Sequence, residues 1–258
     1  MTSRWTDEWE RFGSSDPYYG VCNLEQNRGT VLSVQAAAAF WESGESEIGS
    51  IVAFIEERFA RPFSPRFALE FGCGVGRLTI PLARRSARVL AVDISPAMID
   101  RARTHVSAAG LANVAFALSD DDLSSVPAGF DFVLSYTVFQ HIPPALGYAH
   151  LARILDRLAP GGFGALHFTF YRRASLLRKA VHAMRRRSRL ANALVNLLQR
   201  RPAGAPMMPM FEYERATLLR LLRDAGCGEP YERATDHGGH IGAVLLFRKP
   251  SVEHARGP

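Results

Sequence analysis

Apolar residues recur along this 258-residue chain in two alternating spacings. Short continuous apolar runs predict buried strands, and apolar residues at three- and four-residue steps predict amphipathic helices. The predicted strands are residues 67–71, 89–92, 114–118, 130–135, 163–170, 231–234 and 243–247. The predicted helices include residues 48–55, with Gly44 or Ser46 near the start, and residues 95–106, 151–158 and 214–225. The pattern therefore predicts alternating strands and helices over most of the chain.

Three glycines at every second position follow the first predicted strand. They are Gly72, Gly74 and Gly76, and a helical pattern begins at Leu78. Glycine suits a sharp backbone turn that a ligand must approach without a Cβ in the way. Backbone NH groups at the start of the next helix would face the same ligand. The sequence thus predicts a loop that holds a small molecule.

The residues around this loop distinguish between two ligand classes. The dinucleotide fingerprint requires a third glycine where this chain has Arg77. Glu70, just before the loop, would repel a pyrophosphate and attract a cation. The second predicted strand ends in Asp93, whose carboxylate can accept both hydroxyls of a ribose. These positions favour a cationic adenosyl ligand over a nicotinamide dinucleotide.

Two segments carry a resemblance to a known family. Glu-Phe-Gly-Cys-Gly-Val-Gly-Arg at residues 70–77 and Val-Leu-Ala-Val-Asp-Ile-Ser-Pro at residues 89–96 resemble motifs I and II of the class I, Rossmann-like S-adenosylmethionine-dependent methyltransferases of small molecules. The resemblance covers residues 45–170 strongly and 211–250 loosely. It implies an α/β fold with a seven-stranded doubly wound sheet, order 3-2-1-4-5-7-6, in which strand 7 is antiparallel. S-adenosylmethionine would be the methyl donor and S-adenosylhomocysteine the product.

The resemblance also implies which residues bind the cofactor. Ile94 and Met98 would flank the adenine, and either Asp120 or Asp121 would accept a hydrogen bond from its amino group. Residues 136–143 resemble motif IV, between cofactor and acceptor. The full expected cofactor set is Glu70, Gly72, Cys73, Gly74, Gly76, Arg77, Asp93, Ile94, Met98, Asp120, Asp121, Ser135 and Tyr136.

Three histidines are candidate catalytic residues. His141 is either a general base for a hydroxyl acceptor or a residue that holds its loop. His237 and His240 flank a Gly pair and either deprotonate a substrate or belong to a polar turn. We expect no metal site, because no further ligands stand near this pair at a suitable spacing. Tyr18, Tyr19, Gln140 and His141 are candidate substrate contacts, with the two tyrosines alternatively anchoring the N-terminal arm.

Charge is concentrated in one segment. Residues 171–211 contain ten basic and no acidic residues within a chain of net charge +6. Apolar residues at helical steps alternate there with basic ones, and Arg187 and Ser188 interrupt the apolar stripe, which predicts two basic helices. The apolar positions are Leu177, Ala180, Val181, Met184, Ala191, Leu194, Val195 and Leu198, and the basic ones are Arg178, Lys179, Arg185, Arg186 and Arg189. This element would form a lid, a peripheral membrane contact through residues 172–201, or a dimer interface.

Composition and motifs limit the partners. Hydrophobic content of 47% and charged content of 22% are typical of a soluble globular protein. With no signal-peptide pattern and three cysteines at no metal spacing, we expect a cytoplasmic monomer or homodimer. No base-recognition module is present, so a nucleic-acid acceptor is not favoured.

The expected domain plan divides the chain into five parts. It has an N-terminal arm or lid (1–45), the cofactor-binding core (46–170), the basic insert (171–210), completion of the core (211–250) and a disordered tail (251–258). The predicted activity is methylation of a small acceptor, most simply a hydroxyl of a natural product or sugar. The alternatives are a methyltransferase-like binding subunit, and methylation of an anionic, membrane-associated or nucleic-acid acceptor through the basic insert.

Overall fold

A single twisted sheet of seven strands forms the centre of the molecule. The computed structural model describes residues 4–173, 180–181, 183–185 and 188–251. The strands are β1 (Ala68–Phe71), β2 (Val89–Asp93), β3 (Val114–Leu118), β4 (Phe130–Ser135), β5 (Leu158–Arg172), β6 (Tyr231–Asp236) and β7 (His240–Arg248). Their order is β3-β2-β1-β4-β5-β7-β6, with β7 antiparallel to both neighbours. The predicted sheet order and direction are confirmed.

Helices cover both faces of this sheet. They are α1 (Arg4–Ser15), α2 (Pro17–Val21), α3 (Val34–Phe59), α4 (Thr79–Ala83), α5 (Pro96–Ala108), α6 (Pro144–Arg157), α7 (Arg189–Leu198) and α8 (Arg215–Asp224). Short 3-10 turns occur at Glu25–Asn27 and Phe139–His141. None of the helices in the described ranges combines the length and apolarity that crossing a membrane requires.

Alternating side chains of the strands divide the core into two layers. Leu69 and Phe71 of β1 pack toward α6 and α8, alongside Leu151 and Leu218. Ala68, one position along, lies in the opposite layer, which contains residues of α3, α4 and α5. Successive side chains of a strand point to opposite faces, so a strand buried on both sides is apolar throughout. This explains why β1 and β2 appear in the sequence as continuous apolar runs.

The structure corrects several predicted boundaries. β3 has the predicted bounds, but it lies at the sheet edge and is partly exposed, so its predicted burial was wrong. β5 begins at Leu158, five residues before the predicted start of this strand at residue 163. α3 begins after Ser33, whose hydroxyl accepts a hydrogen bond from Ala36 N at 3.2 Å, about ten residues before the expected start. Gly44 instead lies inside α3, where an added Cβ would come within 2.3 Å of the Arg77 carbonyl oxygen.

The N-terminal segment packs on the cofactor side of the core. The Glu10 carboxylate accepts hydrogen bonds from Ser95 Oγ at 2.6 Å and from Ala97 N at 3.2 Å. It therefore satisfies donors at the first turn of α5, as an acidic group at a helix start can do. Phe12, Phe40 and Met98 share a small buried cluster above the sheet edge.

The basic insert meets the N-terminal segment. Ser188 caps α7 by accepting from Ala191 N at 3.2 Å, which agrees with a helix break near this position. Met207 N donates to buried Glu8 at 3.0 Å, and Arg11 bonds the Gly204 carbonyl oxygen. The two segments thus form a roof over the carboxyl ends of the strands. The predicted positions Leu177, Arg178, Lys179, Arg186 and Arg187, and residues 252–258 of the tail, lie outside the described residues.

Candidate functional site

The glycine loop leaves β1 at the centre of the sheet. Gly72 and Gly74 have φ angles of +85° and +53°, a region that residues with a Cβ rarely adopt. A Cβ on Gly72 would come within 2.4 Å of Val138, and one on Gly74 within 2.5 Å of Val21. Both glycines therefore allow other segments of the chain to approach the loop closely. The helix after the loop, α4, begins at Thr79 with Leu78 at its N-cap, which agrees with the helical pattern that the sequence shows from Leu78.

Asp93 connects the end of β2 to this loop. Its Oδ2 accepts a hydrogen bond from Gly74 N at 2.8 Å, and its Oδ1 accepts one from Ser95 N at 3.0 Å. Burial raises the pKa of this carboxyl group, while the backbone NH groups oppose that rise. Each carboxylate oxygen has more than one acceptor site, so capacity remains for a ligand hydroxyl.

Glu70 is a buried carboxylate with an unsatisfied oxygen. Its residue is 2% exposed, and Oε2 has no hydrogen-bond partner among the described residues. Burial raises its pKa to about 8. An unpartnered buried acid of this kind is costly unless a cation or a donor meets it. Because Glu70 lines an open cavity, it can bind the positive group of a ligand.

The cavity above the strand ends contains about 1040 Å³ of empty space, part of which is open to solvent. The expected cofactor residues that line it are Glu70, Gly72, Cys73, Gly74, Arg77, Asp93, Ile94, Met98, Asp120, Asp121 and Tyr136. Gly76 and Ser135 are not among its lining residues. A Cβ on Gly76 would touch Ala102, and Ser135 Oγ donates to the Phe71 carbonyl oxygen at 2.9 Å. The structure thus places these two residues in packing positions.

The two candidate adenine acids have different surroundings. The Asp120 carboxylate accepts from Ser124 N at 2.8 Å, from Asp122 N and from Ser124 Oγ, and the Ser124 hydroxyl lowers its pKa. This carboxylate therefore closes its own turn. The Asp121 backbone oxygen lies 3.1 Å from His150 Nε2 and accepts a hydrogen bond from it. This bond does not use the Asp121 carboxylate, which is also not part of the turn that Asp120 closes.

A second, larger chamber adjoins the first on the side of the roof. Its volume is about 1610 Å³. Six residues line both spaces and mark their junction: Gly20, Val21, Arg77, Tyr136, Thr137 and His141. The three candidate catalytic histidines all line the second chamber, which brings together parts of the chain about one hundred residues apart.

His141 is held on both ring nitrogens. Its Nδ1 lies 2.6 Å from the Pro209 carbonyl oxygen and therefore donates to it. Its Nε2 lies 3.2 Å from the Gln140 amide nitrogen, whose oxygen accepts from Thr169 Oγ1 at 2.8 Å. Burial lowers its pKa to about 4, so the ring is neutral at pH 7. The lone pair that a general base would need is already engaged.

His237 and His240 lie on the hairpin between β6 and β7. His237 Nε2 is 3.4 Å from the Tyr136 hydroxyl, which is a long hydrogen bond. Burial lowers the pKa of both histidines, and the nearby Arg172 lowers that of His240 further. Both rings are therefore neutral near pH 7 and can accept a proton. In the described part of the chain, no group of three or more His, Cys, Asp or Glu side chains is arranged to hold a metal ion.

Two residues at this site were not among the candidate site residues predicted from the sequence. Thr137 has a φ angle of +58°, which is strained for a β-branched residue, and it lies at the junction of the two spaces. His167 of β5 is fully buried and packs edge-on against His237, with ring centroids 5.0 Å apart. The positive φ angle of Thr137, just after β4, and the contact between the His167 and His237 rings can be seen only in the structure.

The predicted substrate contacts separate into two groups. Tyr19 and Gln140 line the second chamber, and the Arg28 guanidinium lies over the Tyr19 ring at 3.2 Å. Tyr18 lines neither space; its hydroxyl bonds His105 Nε2 at 3.1 Å, and its ring packs against Phe40. Tyr18 therefore anchors the N-terminal segment, which is the alternative that the sequence left open.

Comparison with known proteins agrees with this geometry. Residues 68–162 match the methyltransferase domain family. A 125-residue stretch is 38% identical to the carboxy-S-adenosyl-L-methionine synthase of Sodalis glossinidius, covering 46% of this chain and 49% of that protein. A 107-residue stretch is 38% identical to the ubiquinone biosynthesis O-methyltransferase of Methylocella silvestris, covering 41% of each. The chain thus matches no more than about half the length of these relatives.

Solved structures extend the likeness over nearly the whole chain. The magnesium protoporphyrin IX methyltransferase of Synechocystis, solved with bound S-adenosylmethionine, has a TM-score of 0.60 at 19% identity and covers 96% of this chain and 98% of its own. The N-methyltransferase NodS of Bradyrhizobium japonicum, solved with S-adenosylhomocysteine, has a TM-score of 0.58 at 16% identity, covering 96% and 100%. At these identities the structures establish the fold. Residues 68–162 are thus similar to a methyltransferase domain, and the sheet order is the one that the resemblance to class I, Rossmann-like methyltransferases implied.

Proposed function

We propose that this protein transfers a methyl group from S-adenosylmethionine to a hydroxyl of a small organic acceptor and releases S-adenosylhomocysteine. The observation that carries the proposal is the buried Glu70 carboxylate, whose Oε2 has no partner among the described residues, in a cavity bounded by the glycine loop and Asp93. A ligand that brings neither a cation nor a hydrogen-bond donor to this point would leave Oε2 unsatisfied. A ligand with an ammonium group next to an adenosine would satisfy both Glu70 and Asp93.

The lining residues suit the parts of this cofactor. Glu70 would bind the amino group, and Arg77, whose buried Nε has no partner among the described residues, would bind the carboxylate. Asp93 would accept the ribose hydroxyls while keeping its bond to Gly74. Ile94 and Met98 would contact the adenine faces. Asp121 suits the adenine amino group better than Asp120, because the Asp120 carboxylate is engaged by its own turn.

Methyl transfer requires the acceptor to lie in line with the bond that breaks, and the bound cofactor supplies a reactive sulfonium methyl. The junction residues Tyr136, Thr137 and His141 lie at the boundary between the two spaces, where the cofactor methyl and the acceptor would meet. His237 is our candidate general base. Its long contact with Tyr136 Oη can be replaced by a shorter bond from an acceptor hydroxyl, which would then pass its proton to the imidazole.

The roof would control access to this site. The N-terminal segment (1–45) and the basic insert (171–210) meet through Glu8, Arg11 and residues 204–207, so they would open and close together. Several leucines of α7 are exposed, including Leu190 and Leu198 at 83% and 76%, and Arg200 follows this helix in the sequence. This face suits peripheral contact with an anionic membrane. Salt-sensitive binding to vesicles containing phosphatidylserine, absent with phosphatidylcholine alone, would support that contact.

Calorimetric titration with S-adenosylhomocysteine and with NAD tests the cofactor assignment. We expect the first to bind and the second not to bind. Glu70→Gln should weaken binding by about tenfold or more, since a bond to a charged group is lost. Glu42→Gln, on the exposed side of α3, is the matched control.

A mass-spectrometric screen of hydroxylated acceptors tests the transfer itself. A methyl gain on the acceptor together with S-adenosylhomocysteine would support the proposal. A carboxylated cofactor, the product named for the Sodalis relative, would contradict it. Binding of S-adenosylhomocysteine without any transfer would favour the alternative of a binding subunit.

A further inference from the structure

The second chamber carries a strong positive charge. The described residues that line it include five arginines and a single carboxylate, Glu47. The arginines are Arg28, Arg77, Arg172, Arg185 and Arg201. Glu47 is already paired with Arg233 at 3.4 Å, so it compensates little of this charge. A space of this kind attracts anions, and its low-dielectric walls strengthen the attraction.

These arginines are not equivalent. Arg28 is paired with Asp16 at 2.7 Å, and Arg201 with Glu25 at 3.4 Å. Arg77 faces the cofactor cavity as well and has a role there. The Arg172 guanidinium has no hydrogen-bond or ion-pair partner among the described residues, and it lies at the end of β5 beside His240. Arg172 therefore presents a charge to the second chamber alone.

Two neutral side chains help to orient Arg185. Its Nε and Nη2 each donate, at 2.9 Å, to the amide oxygens of Asn192 and Asn196 on α7. Both asparagines are buried, and Asn196 in turn donates to the Ala203 and Ala205 carbonyl oxygens. Amides orient a guanidinium without cancelling its charge, in contrast to a carboxylate. Asn192 and Asn196 therefore hold the Arg185 guanidinium in a fixed orientation in the lining of the chamber.

Part of the chamber lining is apolar. The apolar lining residues include Phe12 of α1 and three methionines that follow α7, namely Met207, Met208 and Met210. Methionine side chains adapt to apolar ligands of irregular shape. The chamber thus combines adaptable apolar side chains with oriented cations, and it shares lining residues with the cofactor cavity.

From this arrangement we infer that the methyl acceptor is an organic acid with an apolar body, whose carboxylate or phosphonate-type anion binds Arg172 and Arg185. The inference rests on the proposed function and specifies its acceptor. Anchoring the acid group there would leave the hydroxyl-bearing end free to reach Tyr136 and His237 at the junction. Guanidinium groups suit this role because they can donate two parallel hydrogen bonds to one anion.

The test uses acceptor probes that differ only in charge. 3-(4-Hydroxyphenyl)propionate, its methyl ester and the corresponding phosphonate are titrated into the full-length protein saturated with S-adenosylhomocysteine. We expect both acids to bind at least about tenfold more tightly than the ester, the scale of one charge-assisted hydrogen bond. Arg172→Gln and Arg185→Gln should each remove most of this preference. Arg173→Gln, one residue further on and exposed, should keep it.

The outcomes separate the inference from the proposed function. Equal binding of acid and ester, or no binding of either acid, would overturn the inference in a protein that still binds S-adenosylhomocysteine. An Arg172→Gln protein that behaves like Arg173→Gln would overturn it as well. Failure to bind S-adenosylhomocysteine would instead contradict the proposed function. Thermal unfolding of each variant verifies that a lost preference does not reflect a lost fold.

Discussion

Asp93 Oδ2 and the backbone nitrogen of Gly74 lie 2.8 Å apart, so the acid at the end of β2 holds the glycine loop that follows β1. The same carboxylate is the candidate ribose ligand. Binding of the cofactor and shape of the loop therefore depend on one side chain. Asp93→Ala should consequently affect both.

We expect Asp93→Ala to weaken S-adenosylhomocysteine binding by about 2–3 kcal/mol and to lower the free energy of unfolding by about 1–2 kcal/mol, because Gly74 N and Ser95 N lose their acceptor. Calorimetry and urea denaturation measure the two effects. Asp100→Ala on the exposed side of α5 is the control. Unchanged affinity in the Asp93 variant would remove this residue from the ribose site.

Gly74→Ala tests the close approach between the loop and the N-terminal segment. The added Cβ would meet Val21 at 2.5 Å, in addition to the strain of a φ angle of +53°. Gly110→Ala has φ of +70° and no atom within 4 Å of the added Cβ, so it measures that strain alone. We expect Gly110→Ala to lower the free energy of unfolding by about 1 kcal/mol and to keep cofactor affinity. Gly74→Ala should lose stability and cofactor affinity alike.

A second substitution isolates the contact itself. Val21→Ala combined with Gly74→Ala removes the Val21 methyl groups and should recover part of the lost cofactor affinity. Affinity that stays as low in the double variant as in Gly74→Ala would mean that the Cβ obstructs something other than Val21.

Glu70 makes stability and binding depend on pH. Its pKa is about 8 in the folded protein, above its ordinary value of 4.5, because burial disfavours the charge. The protonated form is thus favoured on folding. The stability that it contributes is complete below pH 4.5 and is lost as the pH rises through about 8. Glu70→Gln should remove this decline from the unfolding free energy of the ligand-free protein.

Cofactor binding should reverse the protonation of Glu70. An ammonium group beside the carboxylate favours its charged form, so binding near pH 7 should release a proton. Calorimetry in buffers with different ionisation enthalpies measures this release, and affinity should rise as the pH approaches 8. A wild-type protein that releases no proton, or a Glu70→Gln variant that releases as much, would contradict the role of Glu70.

The three histidines should respond differently to substitution. We expect His237→Gln to lower turnover on a hydroxyl acceptor by about a hundredfold, the lower range for lost acid–base catalysis, with little change in cofactor affinity. The activity of the wild-type enzyme should fall as the pH drops through the pKa of His237, and this fall should occur below pH 6.5 because burial lowers that pKa. His240→Gln should mainly weaken acceptor binding, because His240 lies beside Arg172.

His141→Gln should act on stability. It breaks the bonds to Pro209 and Gln140, which we expect to cost about 1–3 kcal/mol of unfolding free energy. Near-normal turnover in the variants of all three histidines would mean that no histidine is the base. An amine or an already acidic hydroxyl would then be the more consistent acceptor.

Local patterns predicted which strand ends meet at the cavity. The strand before Gly72 and the strand ending in Asp93 are continuous apolar segments, and parallel neighbours bring such ends together at one edge. The sequence could not show which of Asp120 and Asp121 is available to the adenine, because that depends on which carboxylate closes the turn with Ser124. Helix α3 was placed too late because Ser33, an ordinary N-cap, stands far from the apolar stripe.

The acceptor side was predicted only as a set of candidates. Its residues come from α1, α2, the β4 connection, the insert and the last hairpin, and no periodic pattern links them. Whether Tyr18 or Tyr19 faces the chamber depends on how α2 packs on Phe40 and His105. The neutral support of Arg185 by Asn192 and Asn196 likewise requires two helical segments to meet.

The placement of the last hairpin matters for the growing polypeptide. The glycine loop and Asp93 are made within the first hundred residues, whereas His237 and His240 arrive with β7, which must insert between β5 and β6. Segments of a chain emerge from the ribosome in order of sequence. The nascent protein would therefore have its cofactor-binding residues well before it has the residues for chemistry. Ribosome-bound chains that end before residue 231 would contain the candidate cofactor residues and would lack both histidines of the hairpin formed by β6 and β7.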